Sequence, residues 1–99
     1  MILDLKAYGN SVIKRLFSVI DLTKDAMTEK DKDDISKFIS KLIIEVEGSL
    51  EYFSHVKYGS RMQSVLMKLN GVKNINDFQI RRCAILDSIE IINKIIVNL

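Results

Sequence analysis

The sequence predicts an all-α protein, a compact antiparallel four-helix bundle with a short third helix. Three observations lead there. The 99 residues include no proline and only four glycines, so almost nothing interrupts a helix. Apolar residues recur at steps of three and four, which places them along one side of a helix. Polar stretches carrying capping residues divide the chain into four such runs, and no sustained alternation favours strands.

The first helix is expected over 3–22. Leu5, Tyr8, Val12, Ile13, Leu16, Val19 and Ile20 fall on one side; Asp4, Ser11, Lys14, Arg15, Ser18 and Asp21 fall opposite. The stretch "TKDAMTEKD" is a polar connection. In it Thr28 and Asp31 have the spacing of a capping box, and Glu29, Asp31, Asp33 and Asp34 suit the positive end of a helix dipole. The second helix is expected over 29–57, with a core stripe of Ile35, Phe38, Ile39, Leu42, Val46, Leu50, Phe53 and Val56. Gly59 is expected to stop it in the left-handed conformation.

Ser60 and Gln63 suggest a capping box for a third helix over 61–70, carrying Met62, Val65, Leu66 and Leu69 and ended by Asn70-Gly71. Asn76 and Gln79 suggest a similar cap for the fourth helix, 77–98. That helix has a wide apolar arc. Ile80, Ala84 and Ile91 mark one edge, Ile85, Ile89, Ile92 and Ile96 the other, and Ile95 and Leu99 lie between. Arg81 projects into the middle of it, which calls either for a charge that snorkels out at the helix end or for an acidic partner.

Composition bounds the function. At 47% hydrophobic and 28% charged, the chain suits one globular domain, residues 1–99, and not a disordered one. Asp87, Glu90 and Lys94 interrupt the most apolar stretch well short of the roughly 18 residues a membrane span needs. Asp4 and Lys6 break any apolar leader. A lone cysteine, Cys83, excludes an internal disulfide and a cysteine-based zinc cluster. These features read as a soluble cytoplasmic protein. Ile, Lys and Asn make up about a third of the residues, a bias toward A/T-rich codons that fits phages, mobile elements and some low-GC bacteria.

No catalytic, cofactor or metal site is expected. His55, the single histidine, has Glu51 one turn away but no second His or Cys to complete a metal site, so it reads as a solvated residue. Cys83 beside Arg82 reads as a half-buried structural thiol. Asp31, Asp33 and Asp34 lack the glycine and closing glutamate of a calcium loop. Gly-rich phosphate loops, nucleophile elbows and HExxH are absent from the sequence.

Two surface features remain. Ile44, Met67, Leu86 and Val97 fall off the core faces, and Phe17 lies at the edge of its helix. Single exposed apolars are ordinary, but several on so small a chain point to a partner surface. The expected site is Ile44, Glu51 and His55 on the second helix with Arg82, Leu86 and Val97 on the fourth, facing another protein or a second copy of the chain. Charge is also split. Residues 25–51 hold eight acids and four bases, whereas 57–82 hold six bases and one acid. A solvated basic face is the first reading of the latter segment and an acidic protein partner the second. Nucleic acid, held by Arg61, Lys68, Lys73, Arg81 and Arg82, ranks third. The expected function is therefore a non-enzymatic protein-binding module of the inhibitor, adaptor or immunity type. A nucleic-acid-binding regulator is the alternative.

Overall fold

Helix α1 (Leu5–Leu22) begins where the Asp4 carboxylate accepts the Ala7 N–H at 3.0 Å, satisfying one of the donors that a helix start leaves free. The structure, a computed structural model, describes residues 4–22, 28–75 and 77–99. The expected helix start at residue 3, most of the first connection (23–27), the Asn76 cap and the Asp21 side chain lie outside the described residues.

Helix α2 (Glu29–Phe53) opens on the expected capping box. Thr28 Oγ1 accepts from the Asp31 N–H at 3.1 Å, and the Thr28 N–H donates to Asp31 Oδ2 at 3.2 Å. The helix ends four residues before the expected 57. Ser54 Oγ donates to the Glu51 carbonyl at 2.6 Å, capturing an acceptor at the helix end. A turn follows, in which Tyr58, not Gly59, takes the left-handed conformation (φ 64°). Gly59 is required for a different reason. It is buried against the last turn of α2, where a Cβ would overlap the Phe53 carbonyl.

Gly59–Arg61 form a 3₁₀ turn that feeds directly into helix α3 (Met62–Val72). This replaces the expected Ser60–Gln63 box, and α3 has no side-chain cap. Helix α3 also continues through Asn70-Gly71. Asn70 Nδ2 donates back to the Leu66 carbonyl at 3.1 Å, and the buried Val72 anchors the last turn. Helix α4 (Phe78–Val97) is capped by Asp77, whose Oδ1 accepts from Gln79 N and Ile80 N at 2.9 and 3.1 Å.

The four helices form an all-α antiparallel bundle of 41 × 23 × 19 Å, with no strand among the described residues. Each packs on its two neighbours in the order α1–α2–α3–α4–α1; the Cα atoms of the diagonal pairs α1/α3 and α2/α4 come no closer than 8 Å. Gly9 lets α1 approach α4, since a Cβ there would lie 2.6 Å from Ile96 Cδ1. On the other seams Tyr8 meets Phe53 with ring centroids 6.1 Å apart, the Ser36 hydroxyl donates to the Lys73 carbonyl, and Lys68 pairs with Asp87 at 3.7 Å.

The core follows the predicted stripes. Val12, Leu16, Val19, Ile39, Leu42, Val46, Phe53, Met62, Val65 and Leu69 are buried, with Ile85, Ile92 and Ile95 from α4. Burial of such a side chain contributes about 1.5–3 kcal/mol. The expected arc of α4 is buried at Arg81, Ile85, Ile92, Ile95 and Ile96 and needs correction at three positions: Ile80 and Leu99 are exposed, and Ser88 joins the buried side. Ser88 is satisfied by donating to the Ala84 carbonyl at 2.8 Å. Arg81 neither snorkels nor meets an acid. It is 0% exposed, and Nη2 donates to the Ile75 carbonyl while Nε and Nη1 have no partner. Desolvation holds this guanidinium below its ordinary pKa.

Candidate functional site

The residues expected to form one partner surface do not meet. Ile44 (71% exposed) and Glu51 lie on α2, and His55 is exposed in the turn beyond it. Arg82, Leu86 (42%) and Val97 (69%) lie on α4. Since α2 and α4 are diagonal in the bundle, these are two separate surfaces. The α4 group gains a neighbour instead. With Gly9 level with Ile92 and Ile96 in an antiparallel pair, Phe17 comes level with about residue 86, given equal rise along both helices. Phe17 (48% exposed) and Leu86 thus share the outer face of the α1/α4 seam, flanked by the half-buried Ile13 and Ile89. Phe17 stood in the sequence as an edge residue; only the helix order shows which edge it borders.

The basic set also divides. Arg81 is sealed in the bundle and presents nothing to a phosphate backbone, so it is withdrawn from that reading. Lys73 follows the C-terminus of α3 and Arg82 lies near the start of α4, at the same end of the bundle as Arg81. Arg61 and Lys68 line a cleft of about 280 Å³ between α3 and α4, with Asp87, Glu90, Ile91 and Lys94.

That cleft opens beside an unusual cluster. Lys57 Nζ, the Arg61 guanidinium carbon and Lys94 Nζ lie 5.1, 4.7 and 5.6 Å from the centroid of the Tyr58 ring. The left-handed backbone of Tyr58, costly for a residue with a side chain, turns the chain so that its ring stands between the α2–α3 turn and the end of α4. A cation over an aromatic face gains about 0.5–1 kcal/mol at an exposed site. Lys68 is held by Asp87, whereas none of the three cations around Tyr58 has a carboxylate within ion-pair distance. Sequence reasoning missed Tyr58 and Lys94. Lys94 sits on the polar arc of α4, and only the antiparallel register of α3 and α4 sets it opposite Arg61.

Among the described residues, no group of three or more His, Cys, Asp and Glu is arranged to hold a metal ion, and Cys83 is an exposed free thiol, not the half-buried one expected. No described helix is long and apolar enough to cross a membrane. Comparison with protein-family models, curated proteins and solved structures finds no match.

Proposed function

We propose that this chain is a non-enzymatic protein-binding module that docks through the outer face of the α1/α4 seam, and that a second copy of the chain occupies this face. The observation that carries the reading is the exposed pair Phe17 and Leu86, with half-buried Ile13 and Ile89 beside it and exposed Val97 about three turns farther along α4.

The second copy is favoured by charge. Arg82, Leu86 and Glu90 are spaced four apart and form one ridge along α4. Packing of such ridges on each other, at about −50°, is the commonest helix–helix geometry. In an antiparallel pair centred on Leu86, Arg82 of each copy lies along the ridge from Glu90 of the other. The interface is therefore self-complementary, as a two-fold dimer requires. An inhibitor, adaptor or immunity-type role in the cytoplasm of a cell or phage-infected host suits such a module.

Sedimentation equilibrium tests the pairing. A dimer is expected, dissociated by Leu86→Asp and by Arg82→Glu, and restored when Arg82→Glu is combined with Glu90→Arg. A strict monomer at submillimolar concentration, or a dimer indifferent to all three changes, overturns the reading.

A further inference from the structure

We infer that the cleft between α3 and α4, with the Tyr58 cluster at its mouth, binds a phosphate oxyanion carrying two or more negative charges. Inorganic pyrophosphate, or the diphosphate end of a small molecule, fits this description.

The argument starts from a cost. Lys57, Arg61 and Lys94 all surround one ring at 4.7–5.6 Å from its centre, so no two of them are more than about 11 Å apart, a separation at which like charges repel measurably. Cation–π attraction offsets part of that repulsion. Asp87 is already engaged by Lys68, and Glu90, the other acid of the cleft, forms an ion pair with none of the three. Arg61, Lys68 and Lys94 outnumber these two acids along the concave, partly apolar lining, and Lys57 beside it adds to the positive excess. An anion placed there relieves the repulsion and gains directly from each cation.

Size and geometry narrow the class. A volume of about 280 Å³ lies just below the roughly 300–1,000 Å³ typical of small-molecule sites, so it admits only a small group. The guanidinium of Arg61 offers a planar fork for two oxygens, and Lys94 on the same lining offers a point charge. A single carboxylate would be matched by Arg61 alone. A diphosphate, with more charge and more acceptor oxygens, can engage both. Lys68, released from Asp87, adds a third contact farther along the cleft, and Lys57, on the neighbouring Tyr58 ring, adds to the local positive charge.

The site is distinct from the α1/α4 face and its test is separate. ¹⁵N–¹H correlation spectra recorded with increasing pyrophosphate at low salt are expected to show saturable shifts centred on Tyr58, Arg61 and Lys94. The expected dissociation constant is on the order of 0.1–1 mM. Arg61→Ala with Lys94→Ala should weaken binding by at least about tenfold, since a tenfold loss is about 1.4 kcal/mol. Asp87→Asn should tighten it by freeing Lys68. Arg82→Ala, at the other end of the bundle, should leave it unchanged. A nucleoside diphosphate run in parallel separates the sources: tighter binding than pyrophosphate points to a nucleotide, equal binding to the diphosphate group alone. The inference is overturned if no saturable shifts occur up to about 10 mM pyrophosphate, a concentration well above the expected constant. It is equally overturned if Arg82→Ala weakens binding as much as the double variant, which would mark the contacts as diffuse surface charge.

Discussion

At one end of the bundle, where α3 gives way to α4, Arg81 is fully buried with a single carbonyl as its hydrogen-bond partner. At the other end, Lys57, Arg61 and Lys94 stand around the ring of Tyr58. Arg81 and Lys94 belong to the same helix, thirteen residues apart, and differ in which side of it they occupy. The contrast separates two uses of positive charge. Without solvent and without an acid, a cation costs stability and can reach no ligand. Held at the surface against an aromatic face, it remains partly solvated and available.

The largest expected effect breaks the exposed end. Gly59→Ala drives a Cβ into the Phe53 backbone, and neither partner can give way cheaply because both belong to the chain. Overpacking of this kind costs about 3 kcal/mol. Urea denaturation should show the loss, and the α2–α3 turn that sets Tyr58 should lose its defined amide signals even where the rest of the bundle stays folded.

The next effect, of opposite sign, sharpens the contrast at the buried end. Arg81→Met removes an unpaired buried charge and keeps most of the volume. The Ile75 carbonyl loses its donor, a cost of about 1–3 kcal/mol at most, but an uncompensated buried charge costs more. A net gain of about 1–2 kcal/mol is expected in urea denaturation, in keeping with the stability gained when buried ionic groups give way to apolar residues of similar volume. The sign against pH follows from the lowered pKa. A base whose folded pKa lies below its unfolded value destabilises the fold at every pH below that folded pKa. The penalty is relieved only as pH rises through it toward the unfolded value. The gain in Arg81→Met should therefore be the same at pH 5 and pH 8.

The two ends also differ in how much of them could be read from sequence. Periodicity located all four helices, and the Thr28–Asp31 box set the start of α2, because each of these signals is local. The errors came where the deciding contact lies far along the chain. The sequence suggests a left-handed turn at Gly59 because glycine usually serves there, but what requires Gly59 is the proximity of Phe53, and Tyr58 accepts the positive φ. Periodicity puts Arg81 inside the apolar arc of helix 4, and it is buried there, but the same arc includes Ile80 and Leu99, which are exposed, and omits Ser88, which is buried, since packing against α1 and α3 decides how far the buried side extends. The partner surface was split between α2 and α4 because sequence gives the faces of single helices and not their order around the bundle. That order is also what brings Phe17 beside Leu86 and Lys94 beside Arg61.

A smaller effect concerns the pair that crosses the α1/α2 seam between the two ends. Arg15 and Glu45 are bonded, but their side chains are 33% and 44% exposed, so water screens them. A double-mutant cycle with Arg15→Ala and Glu45→Ala should give a coupling of no more than about 1 kcal/mol. It should shrink in 0.5 M salt, where the screening length falls to only a few ångströms. A larger, salt-insensitive coupling would mean that this seam holds charge as Arg81 does, away from solvent.

The smallest effect lies at the same end of the bundle as Tyr58 and concerns a tyrosine of α1. Tyr8 packs on Phe53, and its hydroxyl is buried without a hydrogen-bond partner; the nearby Ser49 hydroxyl donates instead to the Val46 carbonyl at 2.7 Å. Burial pushes the phenol above its ordinary pKa. Tyr8→Phe removes an unsatisfied polar atom and keeps the ring, so at neutral pH stability should change by less than about 0.5 kcal/mol, toward the stabilising side. The alkaline limb discriminates further. With the folded pKa raised, the neutral phenol's contribution is complete below the unfolded pKa of about 10 and declines as pH rises from there through the folded value, since the unfolded chain ionises first. Wild-type stability should therefore fall more steeply above that point than that of Tyr8→Phe, as read from urea midpoints at pH 8, 10 and 11. Parallel curves would mean that the Tyr8 hydroxyl reaches water, leaving Arg81 as the one group among the described residues whose ionisation is shifted mainly by burial.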